Sequence, residues 1–347
     1  MVSIKGRTAI VGLGQTSFAK GLPDSELSLA CQAIAMALED AGIAPSEVDG
    51  LASFTMEPNR EVEVARGVGL GDITYFSQVG YGGGAACGVV GQAAMAVATG
   101  QCTTAVAWRA RKRAAKASRP WSQAAARLSD SQMWTRPFGI IRPVDEIAML
   151  TRRYMHEYGA TRDHLANIAI AFRKHAARNP ASTMGHKPLT RDDYMNARWI
   201  SEPLCLFDNC LETDGALACV MVSAERARDC RQPPVYVHAA AQGLPQQVTQ
   251  MANFYCEDPL RSPGWAAAGA LWSRGDIKAT DIDVAQIYDA FTPLILFSLE
   301  AYVHGFNLIN EGVRQMRGTS TNQVDGAESC LVTSGECVPT SAVVLRR

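Results

Sequence analysis

One pattern in this chain occurs twice, and it constrains the fold more than any other feature. "ALEDAGIAPSEVDGLASF" (37–54) and "ALWSRGDIKATDIDVAQIYDAF" (270–291) each read as a helix ending Ala-Leu-x-x-x-Gly, an acidic turn, and an Asp that opens a buried strand. The step from Ala37 to Gly42 equals that from Ala270 to Gly275, and the Asp follows seven residues later in the first copy and eight in the second. Two matched units about 230 residues apart point to a duplicated chain.

The flanking sequence extends both units. "TAIVGLG" reads as a buried strand, "SELSLACQAIAMALEDAG" as an amphipathic helix capped by Ser25, and "VDGLASF" as a second strand. "QVGYGGGAACGVVGQAAMAVATG" (78–100) then gives a strand end, a glycine-rich turn and an apolar helix, followed by the strand "CTTAVAWRA". This βαβ alternation predicts a layered α/β fold. Residues 109–205 differ: a basic run, "RARKRAAKASR", precedes helices such as "DEIAMLTRRYMHEYG" and "RDHLANIAIAFRKHAARNP". The expected organisation is a first half over 1–225 carrying this helical insertion, and a second half over 232–347 that closes with "SCLVTSG" and "TSAVVLRR".

Charge and cysteine usage narrow the function. A formal net charge of −1 argues against general nucleic-acid binding, which needs a basic surplus. The N-terminal "MVSIKGRTAIVGLG" has no leader pattern and no apolar run approaches a membrane span, so a cytoplasmic protein is expected. Ten cysteines are scattered without CxxC pairs, as reduced, buried residues would be. "CLFDNC" lacks the spacing and His partners of a zinc site, so no metal is expected. "GLGQTS" (12–17) lacks the third glycine of a dinucleotide fingerprint.

The duplicated halves, the glycine-rich helix start, "QIYDAF" (286–291) and "LVTSG" (331–335) together resemble the thiolase superfamily. The likeness is greatest to its lipid-transfer-protein branch, related to sterol-carrier-protein thiolase. "RRYMHEYG" (152–159), "PLTRDDYMNARWISEPLCLFDNCLETDGA" (188–216) and "YDAFTPLI" (288–295) look most like the bacterial steroid side-chain-cleaving aldolases. The resemblance implies the thiolase fold, two βαβαβαββ halves in αβαβα layers with a helical loop domain inserted in the first. It also implies a homodimer that binds a small hydratase-associated partner of zinc-ribbon and OB-like fold. No cofactor is implied beyond the CoA thioester, which is the substrate.

Thiolases need a nucleophilic Cys at a helix start and a second Cys as acid/base. Matched from the helix-ending Gly100, the nucleophile position is Gly83, with Cys87 one turn later; the second sulfur position is Gly335, with Cys337 two residues beyond. Without a thiol there is no acyl-enzyme. Gly83, Gly84 and Gly335 are expected instead to open space and expose N–H groups for an oxyanion. Retro-aldol cleavage of a β-hydroxyacyl-CoA fits, while a Claisen thiolase using Cys87 and a non-catalytic acyl-CoA binder stay open.

The resemblance implies Tyr288, followed by Asp289, where thiolases carry Asn. It also implies Tyr302 and His304 at the "EAYVHGFN" turn, and Tyr255 of "NFYCEDP" on a loop over the pocket. A phenol is a poor base unless the site lowers its pKa. A glycine-rich segment of the resembled family has no counterpart between Ser298 and Glu300. A missing segment is the expectation, because "YDAFTPLILFSLE" would otherwise serve two helices at once. The first half is expected to pair with a second copy through "CTTAVAW", read as its exposed edge strand.

Overall fold

The computed structural model describes residues 3–80, 82–112, 132–246, 251, 256–302, 313–335 and 337–347. The first half runs β1 (Thr8–Gln15), α1 (Glu26–Ala41), β2 (Gly50–Phe54), α2 (Glu61–Val68), β3 (Tyr75–Val79), α3 (Ala86–Ala98) and β4 (Thr104–Arg111). Helices α4 (Gln132–Thr135), α5 (Pro143–Tyr158), α6 (Arg162–Arg178) and α7 (Arg191–Met195) follow. They lead to the small hairpin β5 (Trp199–Ser201) and β6 (Leu204–Cys205), before β7 (Gly215–Ser223) returns to the sheet. The second half runs β8 (Val235–Gly243), α8 (Pro263–Gly275), β9 (Val284–Gln286), α9 (Pro293–Ala301), β10 (Ser329–Thr333) and β11 (Thr340–Arg346).

Nine strands form one sheet in the order β3-β2-β4-β7-β1-β8-β11-β10-β9. The halves meet where β1 pairs with β8 over Ala9↔Tyr236 and Ile10↔Val235. Helix α3 lies between the two half-sheets. Its apolar residues share one core with Ala52, Ala105 and Met221 of the first half and Val237, Val332 and Val343 of the second. Val313 and Met316, from a helical turn at 313–317, join the same layer. Helix α1 covers the outer face of the first half-sheet and α8 that of the second. The layers are therefore αβαβα, the thiolase fold.

Local sequence accounts for these layers. Ser25 Oγ accepts from Ser28 N at the start of α1, Gly42 closes it in the left-handed region (φ 73°), and Leu29, Ile34 and Leu38 form its buried stripe. The "GLG" of β1 is a packing device. A Cβ on Gly12 or Gly14 would lie 2.1 or 1.8 Å from the carbonyl oxygens of Ala37 or Ala33. Only glycine lets α1 approach that closely.

The repeat read in the sequence is a structural one. Asp49 accepts from Thr103 N (2.9 Å) and Thr104 N (2.8 Å), tying the start of β2 to its parallel neighbour β4. Asp283 accepts from Glu328 N (3.1 Å) and Ser329 N (3.0 Å), tying the start of β9 to its parallel neighbour β10. The one-residue difference in spacing also has a cause. In α8 the left-handed cap is Asp276 (φ 52°) rather than Gly275, so each acidic residue follows its cap by seven positions.

One expectation needs correcting. "CTTAVAW" is not an edge: β4 lies between β2 and β7, and the exposed edge of the first half is β3, whose Phe76 is 67% exposed. Apolarity on both faces marks a strand covered by helices on both sides, not one awaiting a partner. Helix α9 runs through Ser298 and Glu300. Among the described residues no helix is long and apolar enough to cross a membrane, and no group of metal-ligating side chains occurs.

Candidate active site

The glycine-rich turn meets the turn between β10 and β11 at the head of α3. Gly335 N donates to Gly83 O at 2.8 Å, and Ser334 N to Ser341 O at 2.8 Å. The first N–H groups of α3 are capped by the same turn: Cys87 N donates to Ser334 Oγ (2.5 Å) and Gly88 N to Ser341 Oγ (2.7 Å). The two hydroxyls lie 2.9 Å apart, and Ser341 Oγ also donates to Gly84 O at 2.7 Å.

This corrects part of the glycine reading. A Cβ on Gly335 would stand 2.1 Å from Gly84 N, and one on Gly84 2.0 Å from Pro339 O. These glycines allow backbones to touch; they open no space. Gly83 does face room, for its Cβ would meet Tyr288 Cε1 at 3.8 Å and Gly335 Cα at 3.9 Å. The N–H groups of Cys87, Gly88 and Gly335 all have protein partners.

Tyr288 and Asp289 follow the short strand β9, and the segment after Asp208 lies alongside them. Cys210 N donates to Ala290 O (3.0 Å) and Thr292 N to Asp208 O (3.1 Å). Thus "LFDNC" and "YDAFT", far apart in sequence, form one wall of the site. Asp289 keeps contact with solvent while protein crowds its carboxyl, and that loss of hydration pushes its pKa up to about 6. Burial, Cys210 and Asp289 raise the Tyr288 phenol above its ordinary range, and Arg109 opposes them. Cys210 is exposed at its surface, yet crowding by the surrounding protein raises its thiol, with Asp289 and Glu212 adding to it. The site therefore holds a carboxyl that titrates near neutrality beside a phenol that stays protonated.

Sulfur chemistry has no place here. Cys87 is fully buried, its Sγ is 3.4 Å from Val332 O, and burial pushes its thiol up to about 12. Cys337 is buried in a left-handed turn (φ 61°) against Leu150, Leu260 and Phe297.

Of the residues expected from the sequence, Gly83, Gly84, Gly335, Tyr288 and Asp289 come together, and Tyr302 does not. Its ring packs 5.2 Å from Trp272, in the core formed by Leu271, Leu331 and Val344 beneath α8. Val332 and Val343 face α3 from the opposite side of those strands, so the second half-sheet separates Tyr302 from Gly83. The cause is local: α9 ends directly at Tyr302 (φ 83°), which turns it onto the outer face. His304 and Tyr255 lie outside the described residues. Sequence reasoning missed Ser334, Ser341 and Arg109. Strand alternation carried the signal for the last, since Arg109 shares a face with Ala105 and Ala107.

No family model matches the chain. It is 42% identical to the 17-hydroxy-3-oxo-4-pregnene-20-carboxyl-CoA lyase of Mycobacterium tuberculosis, over 99% of this chain and all of that one. It is also 42% identical to a steroid side-chain-cleaving aldolase of Thermomonospora curvata, over 99% of both. The alignment with the mycobacterial lyase runs to 386 positions against 347 residues here, so that enzyme carries residues without counterpart in this chain. Among solved structures, an Ltp2-ChsH2(DUF35) aldolase superposes with a TM-score of 0.93 at 40% identity, covering 99% of this chain and 98% of that one. A monomeric SCP2-thiolase like protein type 1 from Mycobacterium smegmatis gives 0.73 at 20% identity over 98% of this chain and 77% of its own, a likeness of fold.

Proposed function

The chain belongs to the steroid side-chain-cleaving aldolases of the thiolase superfamily, carbon–carbon lyases that act on CoA thioesters, and from that membership we propose its substrate and mechanism. The substrate is a steroid whose shortened side chain is a CoA thioester with a hydroxyl on the β carbon. In a 17-hydroxypregnene-20-carboxyl-CoA the thioester carbonyl is borne on C20 and the hydroxyl on C17. Retro-aldol cleavage of C17–C20 therefore gives a 17-ketosteroid and propionyl-CoA. The observation that carries this reading is the Tyr288 ring lying against Gly83, where a thiolase would hold its sulfur, with the Asp289 charge acting on that phenol.

In this mechanism Asp289, ionised above about pH 6, takes the β-hydroxyl proton. The C17–O bond becomes a carbonyl, the C17–C20 pair moves into the thioester as an enolate, and C20 is then protonated. Tyr288, a neutral phenol, supplies a hydrogen bond or that proton. The room in front of Gly83 takes the reacting carbons.

The protein is further read as a cytoplasmic homodimer that works with a small partner of zinc-ribbon and OB-like fold. What supports the partner is the likeness to an aldolase that assembles with a ChsH2(DUF35) component. Mass spectrometry of products from 17-hydroxypregnene-20-carboxyl-CoA tests the activity. A ketone and propionyl-CoA are expected, with activity kept by Cys87→Ala. An acyl-transfer product abolished by Cys87→Ala would overturn the reading in favour of a Claisen thiolase.

A further inference from the structure

This inference rests on the aldolase reading and concerns what meets the enolate's charge. Cleavage places a full negative charge on the thioester oxygen, and donors fixed at that position are the usual way to stabilise it. At the helix start the Cys87, Gly88 and Gly335 amides are already bonded to Ser334, Ser341 and Gly83.

A cation stands nearby. The parallel register Ala52↔Ala107 puts Arg109 beside Phe54 at the carboxyl ends of β2 and β4, where ligands bind in parallel sheets. Phe54 and the strand's alternation place both on the face that holds α3. The Arg109 guanidinium sits 4.5 Å from the Phe54 ring centroid, within cation–π range, so a fully buried aromatic anchors it. Its charge acts on Tyr288, whose ring lies against Gly83. Thr55, the residue after Phe54, donates its N–H to Val79 O at 3.0 Å just before the glycine-rich turn, so that turn and Arg109 share this end of the sheet.

We propose that Arg109 is the oxyanion-stabilising residue of the cleavage, its guanidinium receiving the thioester oxygen as the Cα–Cβ bond breaks. The electron pair of that bond becomes the enolate, the β-hydroxyl proton has gone to Asp289, and the enolate carbon is reprotonated. No oxidant or further reactant is required. The planar fork matters because it can direct two N–H groups at the oxygen while resting on Phe54, where an ammonium offers only a point charge.

Enolate formation can be measured apart from cleavage, as exchange of the α-hydrogens of propionyl-CoA in deuterated water with the full-length enzyme. Arg109→Gln is expected to slow both exchange and cleavage by about a hundredfold or more, with propionyl-CoA affinity changed by less than about threefold. Arg109→Lys should recover about tenfold over Arg109→Gln, the charge being kept and the fork lost. Exchange by Arg109→Gln within about threefold of wild type overturns the assignment, as does a loss accounted for entirely by weaker binding. If Arg109→Gln does not fold, Arg109→Lys decides: a fall of about tenfold supports the assignment and no change overturns it. Wild-type enzyme that neither exchanges nor cleaves would bring down the aldolase reading itself, and this assignment with it.

Discussion

The two halves of this molecule are built from one unit and have been put to different uses. In each, a helix ends in a left-handed cap and an Asp seven residues later ties the opening strand to its parallel neighbour. The first half keeps five strands, β3-β2-β4-β7-β1, and the second, among the described residues, four, β8-β11-β10-β9. The first presents to the site a glycine turn at the head of a buried helix and one cation, Arg109. The second presents side chains: Tyr288, Asp289, Ser334 and Ser341. Duplication supplied a second copy that could lose regular structure at the site without exposing the helix it shares with the first.

The largest effect should come from the chemical half. Asp289→Asn is expected to reduce cleavage by about a hundredfold or more. Because the wild-type carboxyl titrates near 6 and works ionised, the wild-type rate should fall as pH drops through that value, and the variant should lack that limb. A variant with an unchanged acid limb would move the base elsewhere.

The scaffold half gives a smaller, sharper contrast. Gly335→Ala puts a methyl 2.1 Å from Gly84 N, where backbone meets backbone, so a destabilisation of about 1–3 kcal/mol or more is expected. Gly83→Ala meets only ordinary contacts at 3.8 and 3.9 Å and should fold normally, losing activity by filling the substrate's place. Denaturant unfolding of the two variants checks this; equal destabilisation would break the distinction between a contact glycine and an open one.

The smallest test asks whether the repeated units are still energetically alike. Asp49→Asn and Asp283→Asn should each lower Tm by a few degrees and to similar extents, since each removes a charged acceptor from two strand amides. Bonds from Ser329 hold the Asp283 carboxyl below its ordinary range. A carboxylate with a lowered folded pKa stabilises the fold above its unfolded pKa, and that benefit is lost as pH falls through the folded value. The gap between wild type and Asp283→Asn should therefore close on acidification.

The layers and the repeat were legible because they depend on short-range pattern: Ser25 and Gly42 bound α1, and the Asp positions mark strand starts. Gly83, Tyr288 and Asp289 were legible through resemblance. The placement of Tyr302 was not, because its direction depends on how α9 ends, a matter of a single φ angle. Ser334 and Ser341 escaped because nothing in "VTSG" or "TSAVV" says that the hydroxyls will cap a helix in the other half. Arg109 opens the basic run 109–119, whose sequence suits CoA phosphates and a solvated loop equally; only its place beside Phe54 sets it on the face toward α3.

The capping serines have a consequence for how the chain comes into being. Their partners on α3 precede them by 247 and 253 residues, so the contacts span most of the polypeptide. During synthesis the helix at the centre of the molecule emerges long before the groups that satisfy its first amides. The first half cannot finish on its own, and the closing hairpin completes a structure begun long before it. Contacts this distant are slow to form. Until they do, the nascent protein displays an uncapped apolar helix, the surface on which a chaperone would act.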